Sequence, residues 1–246
     1  MNELYRYLTI AVTPEWRRLE RMEREAQKRE FVEAVSSANE IAVHAYSLVG
    51  SRVDADVLLW IVAEDQAKIR DFESRLAGTA LWTYSTRPYA YLAARQRSKY
   101  LSGHEHAGGE QARAQAGPVG DKPYVVVYPM TKKRAWYALP LEERTRIMAG
   151  HFAVGHRYPE IRIHTGYSFG IDDHEFVVAF EAPDPRDFLA LVADLRETES
   201  SAYTDRETPI FVGAAMPLER ALDLIDGAAV ASPYAAALGL GPDGRS

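Results

Sequence analysis

The sequence predicts an α+β fold of two tandem ferredoxin-like modules whose antiparallel sheets join, of the dimeric α+β barrel type. Three observations predict it. The order strand–helix–strand–strand–helix occurs twice along the chain. The two occurrences are separated by residues 108–121, where the composition turns to Gly, Ala, Gln and Pro as in a linker. The 246 residues are 47% apolar and 11% aromatic, enough for a substantial core and well suited to a flat apolar ligand. The division that follows is a first module at 1–107, a linker at 108–121, a second module at 122–225 and a tail at 226–246.

In the first half, Tyr5 to Thr13 alternates apolar and polar residues as a strand does. Pro14 then opens a long helical stretch to about Ser37, dense in Arg and Glu, with Trp16, Leu19, Met22, Phe31 and Val35 as its sparse apolar side. Strands at Ile41–Val49 and Ala55–Ala63 flank the turn residues Gly50-Ser51-Arg52, and Asp65–Leu76 reads as a helix. The second half repeats the order. Tyr124–Tyr128 is a strand, and Pro140–Val154 is a helix with proline as its first residue, where no N–H is needed. Ile161–Tyr167 and Glu175–Glu181 are strands across Gly170-Ile171-Asp172-Asp173, Asp187–Glu197 is a helix, and Pro209–Gly213 is a closing strand. The end after Pro233 is rich in Ala, Gly and Leu.

Composition removes several function classes. A net charge of −6 offers no electrostatic basis for general nucleic-acid binding. The absence of cysteine removes disulfides, thiolate catalysis, iron–sulfur clusters and cysteine zinc sites. No basic segment followed by an apolar run opens the chain, and no stretch reaches the roughly 20 apolar residues of a membrane helix, so a cytoplasmic location is expected.

Chemistry concentrates in Tyr128-Pro129-Met130-Thr131-Lys132-Lys133-Arg134 and the helix after it. An oxidisable phenol, a cationic cluster and a lone imidazole fall in one short segment, a combination suited to a pocket for a carboxylate-bearing iron porphyrin. His151 shares a helix face with Ile147, Met148 and Val154, whereas His156 lies roughly 140° around the axis. An imidazole on an apolar face suits a core histidine bonded to a backbone group or an axial haem ligand. A ligating histidine commonly donates its other N–H to a carboxylate, for which Glu199 is available; its other reading is an exposed helix-end charge. Tyr128 likewise reads as a buried strand tyrosine, and Lys132-Lys133-Arg134 as a solvated charge run.

Taken together, over residues 80–215, Tyr128-Pro129-Met130, Trp136-Tyr137, Leu139-Pro140, Glu143-Arg144, Met148 with His151, Tyr158-Pro159, Ser168-Phe169-Gly170-Ile171-Asp172-Asp173, Leu195-Arg196 and Pro209-Ile210-Phe211-Val212-Gly213 resemble, in order and spacing, the chlorite dismutase superfamily and its coproheme decarboxylase branch. The resemblance implies two ferredoxin-like modules, a homopentamer and haem in the second module. It implies that His151 is the proximal iron ligand with Glu199 as its hydrogen-bond partner. Tyr128 would be the radical-forming tyrosine, Lys132 the lysine beside the reacting propionate, Met130 a pocket residue and Ser201 a propionate contact. The implied reaction is peroxide-dependent conversion of coproheme to haem b, with a ferrochelatase as a plausible source of substrate. Chlorite-decomposing members carry a distal arginine where this chain has Ile163, and Arg162 would reach that place only by a one-residue slip. In members with an apolar residue there, a histidine from the loop between modules serves as distal base; His104 falls at that place and His106 competes with it. His164 alternates to the other side of its strand. The competing functions are a chlorite-decomposing or general haem peroxidase, a non-catalytic haem-binding protein and a cofactor-free ferredoxin-like dimer.

Overall fold

The structure, a computed structural model, describes residues 3–96, 98–101 and 118–227. The first repeat runs β1 (Leu4–Val12), α1 (Arg21–Ser36), β2 (Ala42–Ser47), β3 (Val57–Ala63), α2 (Gln66–Ala77), α3 (Ala80–Thr83), β4 (Ser85–Thr86) and β5 (Ala90–Arg95). The second runs β6 (Tyr124–Lys132), α4 (Arg134–Ala138), α5 (Leu141–Gly155), β7 (Arg162–Tyr167), β8 (Phe176–Ala182), α6 (Pro185–Arg196), β9 (Thr204–Arg206), β10 (Phe211–Ala215) and α7 (Leu218–Ile225).

Local chemistry accounts for several boundaries. Asp65 caps α2 by accepting from the Lys68 N–H at 2.9 Å, and Asp184 caps α6 by accepting from Arg186 N–H at 2.8 Å, with Pro185 in the first turn. Other boundaries depart from expectation. The helix expected from Pro14 to Ser37 is a 3-10 turn at Trp16–Arg18 followed by α1, because Leu19 and Glu20 are extended, with ψ of 155° and 145°. Trp16 is thereby turned inward, where its indole N–H donates to Gln27 Oε1 at 3.1 Å. Pro140 precedes its helix as the cap residue, with ψ of 150°, and is not its first helical residue. The short β5 was absent from the sequence pattern, yet it completes the first repeat.

The strands β1, β3, β2, β10, β6, β8, β7 and β5 form a closed antiparallel circuit. Within each repeat the strand order is that of a ferredoxin-like sheet. The repeats join where β5 meets β7 and where β10, already paired with β6, also meets β2. Closure leaves no open edge in the circuit. Three buried clusters follow from strand alternation. Inside the barrel lie Tyr5, Tyr7, Tyr46, Trp60, Val125, Val127, Val177, Ala179 and Phe211. Outside, Leu8, Ile10, Leu59 and Ile61 pack beneath α1, α2 and α7. Val126, Tyr128, Val178 and Phe180 pack with Phe188 and Leu191 of α6 and with Val154 of α5. Among the described residues, no helix is long and apolar enough to cross a membrane.

Gly166 sits at the β5–β7 seam, where an added Cβ would come 2.5 Å from the Ala93 Cβ. Gly166→Ala is therefore expected to destabilise the fold by about 1–3 kcal/mol through overpacking. Urea unfolding should show a lower midpoint with an unchanged slope.

Candidate functional site

Strand β6 supplies the first part of the site. Because successive side chains alternate, Tyr128 and Met130 face the helix-covered exterior while Val125 and Val127 face the barrel interior. Tyr128 is 7% exposed and stacks on Phe180, with ring centroids 6.0 Å apart and planes 18° apart. Phe188 lies 6.4 Å away, centroid to centroid. Burial raises the phenol pKa, with the Glu207 carboxylate adding to the rise and Arg196 opposing it. Tyr128 is thus a neutral phenol at any ordinary pH. Met130, Ile163, Val154 and Phe176 are partly buried against the same cluster, so one face presents several apolar side chains of the kind that could hold a flat ligand.

The register of β7 places Ile163 opposite Phe180 and puts its neighbours on the other side. Arg162 turns away and pairs with Asp121 at 2.6 Å, so it does not stand in for an arginine at Ile163. His164 enters the barrel, where its Nε2 lies 2.9 Å from Glu181 Oε2 and its ring meets Trp60 edge-on at 5.0 Å. His164 is therefore a buried structural histidine.

Helix α5 carries His151 toward the 3-10 turn Glu199–Tyr203. Its Nδ1 lies 3.1 Å from Ser200 Oγ. Burial, with a smaller contribution from the nearby Lys132 ammonium, lowers the imidazole pKa to about 4. The ring is accordingly neutral near pH 7, the form a metal requires. The contact expected from Glu199 is not made. Both Glu199 oxygens accept from the Arg146 guanidinium at 2.9 Å, and this pair faces solvent. Ser200, only 2% exposed, occupies the place beside the imidazole. Nothing in the periodicity marks Ser200; only its position just past a helix end, beside Thr198, offered a cue. Ser201 is half-buried on the same turn, its N–H bonded to Thr198 O at 3.0 Å.

Lys132 ends β6 and is drawn inward, unlike the solvated Arg134. Its ammonium donates to Ser200 O and to Thr204 Oγ1, both at 3.2 Å, and sits 5.3 Å from the Trp136 ring centroid. Burial lowers its pKa, while Glu207 and Glu175 oppose the shift. Glu175 fastens this corner by accepting from the Lys132 N–H at 2.8 Å and the Tyr137 hydroxyl at 2.5 Å. Lys132 thus links the strand of Tyr128 to the turn that faces His151. His104 and His106 lie outside the described residues.

Among the described residues, no group of three His, Asp or Glu side chains is placed to hold a metal ion. An iron bound through His151 would have to bring most of its own ligands, as an iron porphyrin does. The neutral imidazole, the apolar wall and the buried ammonium fit such a group.

Comparison with known proteins bears on this arrangement. A family model described as chlorite dismutase matches residues 24–216. A coproheme decarboxylase of Mycolicibacterium smegmatis is 31% identical over 180 residues, covering 71% of this chain and 73% of that protein. A chlorite dismutase from Candidatus Nitrospira defluvii, solved in complex with imidazole, superposes with a TM-score of 0.83 at 24% identity, over 91% of this chain and 95% of that one. A doubly substituted variant of the same enzyme gives 0.83 at 25% identity over the same shares, 91% and 95%.

The lowered pKa of His151 couples to stability in the ligand-free protein. Below an unfolded value of about 6.5 the unfolded chain takes up a proton that the folded chain refuses until about pH 4. The contribution of this group to stability is therefore constant above about pH 6.5 and falls by about 1.4 kcal/mol per pH unit between there and about pH 4. His151→Gln should remove that component from the pH dependence of urea unfolding, and the His151 ring resonances should titrate near pH 4.

Proposed function

The chain belongs to the chlorite dismutase family, and from that premise we propose that it is a peroxide-dependent coproheme decarboxylase that converts iron-coproporphyrin III to haem b. Bound iron porphyrin would serve both as substrate and as the redox centre that takes oxidising equivalents from peroxide. In each round a propionate loses carbon dioxide, a proton and two electrons to become a vinyl group, while one peroxide is reduced to two waters. Two rounds complete the conversion.

The chain's own residues divide this work. His151 binds the iron as a neutral imidazole. Tyr128 is oxidised to a tyrosyl radical and takes a hydrogen atom from the β-carbon of the propionate beside it. Burial suits this role, because an enclosed phenol is shielded from solvent reductants while it is oxidised. Lys132 holds the reacting carboxylate by charge and exchanges a proton there, for which a buried, lowered-pKa ammonium is better suited than a solvated one. Met130 and Ile163 line the porphyrin face, Ser201 contacts a second propionate, and His104 acts as distal base toward peroxide. The molecule works in the cytoplasm as a homopentamer of two-module subunits and receives coproheme from a ferrochelatase.

The observation that carries this reading is the position of Tyr128. It is buried on the exterior face shared with Met130 and Ile163, and four residues further along the same strand stands the inward-drawn Lys132. The 31% identical coproheme decarboxylase supports the choice of substrate. The apolar Ile163, with Arg162 turned away to Asp121, argues against chlorite chemistry.

Ferric coproheme mixed with the protein and titrated with peroxide should lose two carboxyl groups in succession by mass, ending at haem b. Tyr128→Phe should bind coproheme with ordinary affinity and leave it unconverted; retained turnover would sink the tyrosyl step. Sustained oxygen release from chlorite by the wild-type protein would instead favour the chlorite-decomposing reading.

A further inference from the structure

We propose that Ser200, and not a carboxylate, orients His151. A one-way chain of hydrogen bonds from His151 through Ser200 and Thr198 to the Leu195 carbonyl fixes the imidazole as the tautomer protonated on Nδ1. The consequence drawn below for iron rests on the reading of His151 as its ligand; the tautomer itself does not.

Proton counting sets the direction. Each hydroxyl has a single proton to donate. Thr198 Oγ1 donates to Leu195 O at 2.7 Å, which uses its proton. At 3.0 Å from Ser200 Oγ, Thr198 must therefore accept and Ser200 must donate. That commits the Ser200 proton, so at 3.1 Å from His151 Nδ1 the serine oxygen can only accept. The imidazole then carries its proton on Nδ1, and the lone pair lies on Nε2, the nitrogen outside this network. The chain ends on a main-chain carbonyl at the last turn of α6, an acceptor that cannot rotate to reverse it.

The geometry holds Ser200 in this role from several sides. Its side chain is buried, its carbonyl accepts from Lys132 Nζ at 3.2 Å, and its turn is closed by Ser201 N–H to Thr198 O at 3.0 Å and tied back to α6 by Thr198 N–H to Leu195 O at 3.1 Å. Meanwhile Arg146, itself braced by Glu143 at 2.7 Å, engages both oxygens of Glu199 on the outer side of α5. The adjacent carboxylate is thus drawn to the surface and a neutral hydroxyl takes the buried position.

The choice of acceptor has an electronic effect. A carboxylate pulls the Nδ1 proton strongly and makes the imidazole more basic toward a metal. A serine oxygen pulls less, so an iron bound at Nε2 would receive less electron density and would be easier to reduce than with a carboxylate partner. Ser200 is on this view a positioning residue that acts through His151.

Long-range proton–nitrogen spectra of the labelled, ligand-free protein near neutral pH test the chain directly. In the wild type, His151 Nδ1 should be protonated and Nε2 bare. Ser200→Ala should lower the ratio of the Nδ1–H to the Nε2–H form by roughly five- to tenfold, the equivalent of one neutral hydrogen bond. Ser200→Thr, which keeps the hydroxyl, should restore it. An Nε2–H tautomer in the wild type, or no change in Ser200→Ala, would overturn the proposal. With haem b bound, Ser200→Asp should raise the ferrous iron–histidine stretching frequency and lower the midpoint potential; no movement in either would overturn the electronic part. Wild-type ferrous protein with no iron–histidine band would overturn the ligand reading of His151 and its consequence for iron, while the tautomer result would stand by itself.

Discussion

Closure of the strand circuit is the constraint on which the rest of the molecule depends. Eight strands share their backbone hydrogen bonds around a ring, so the register of each is set by both neighbours. Once the ring is closed, alternation assigns every side chain to the interior or to the helix-covered exterior. Tyr128 and Met130 fall outside while Val125 and Val127 fall inside, and Ile163 falls outside while His164 falls inside. A one-residue slip of β6 or β7 would exchange these sets and dismantle the site. The chemistry of the candidate pocket is in this sense a consequence of sheet register.

The barrel interior is unusually polar for a core. His164 and Glu181 form a buried pair, and the second Glu181 oxygen accepts the N–H groups of Gly120 and Asp121 at 2.8 and 3.1 Å. The glutamate therefore fastens the segment that leads into β6. Gly120, at φ of +86°, also lies under the His44 ring, where any Cβ would collide. Around the pair, Tyr7 and Tyr46 have phenol pKa values raised by burial, and the Glu181 charge adds to both. The bonds of Glu181 to His164, Gly120 and Asp121 fix the groups that make them, whereas among the described residues the Tyr7 and Tyr46 hydroxyls and the Trp60 indole N–H have no hydrogen-bond partner.

The two repeats share a topology and differ in what covers them. His151 lies four residues before the end of α5, and Val32 lies four before the end of α1. Ile163 and Val43 are each the second residue of the strand that follows. The position that carries an imidazole in one repeat carries an aliphatic side chain in the other. In the first repeat α7 packs over the sheet, held by Lys28 to Asp223 at 2.7 Å and by Arg24 to Asp226 at 2.6 Å. One module thus serves as a covered scaffold, and the other keeps a face with a half-buried imidazole and an inward-drawn ammonium. The same supersecondary unit supports both because site chemistry resides in a few positions laid on the shared frame.

The amino-acid sequence by itself determined the α+β class, the two repeats and most elements, since periodicity and capping residues such as Asp65 and Asp184 act over a few neighbours. It also determined that His151 shares one helix face with Ile147 and Val154, whereas the strand expected to end at Tyr128 runs on to Lys132 only in the structure, which is what sets Met130 on the face of Tyr128. The break at Leu19-Glu20, the strand β5 and the bridging of β10 to β2 were decided only in the tertiary structure. Each depends on a partner far along the chain, as β5 does on β1 and β7. The partner of His151 was decided in the same way. Glu199 and Ser200 are adjacent; the family resemblance points to the carboxylate, whereas the residues alone read Glu199 as an exposed helix-end charge, which is where the structure has it. Which of them reaches the imidazole depends on Arg146 drawing one outward and on Lys132 and Thr198 holding the other inward. Those are contacts between separate elements, and no window along the sequence contains them.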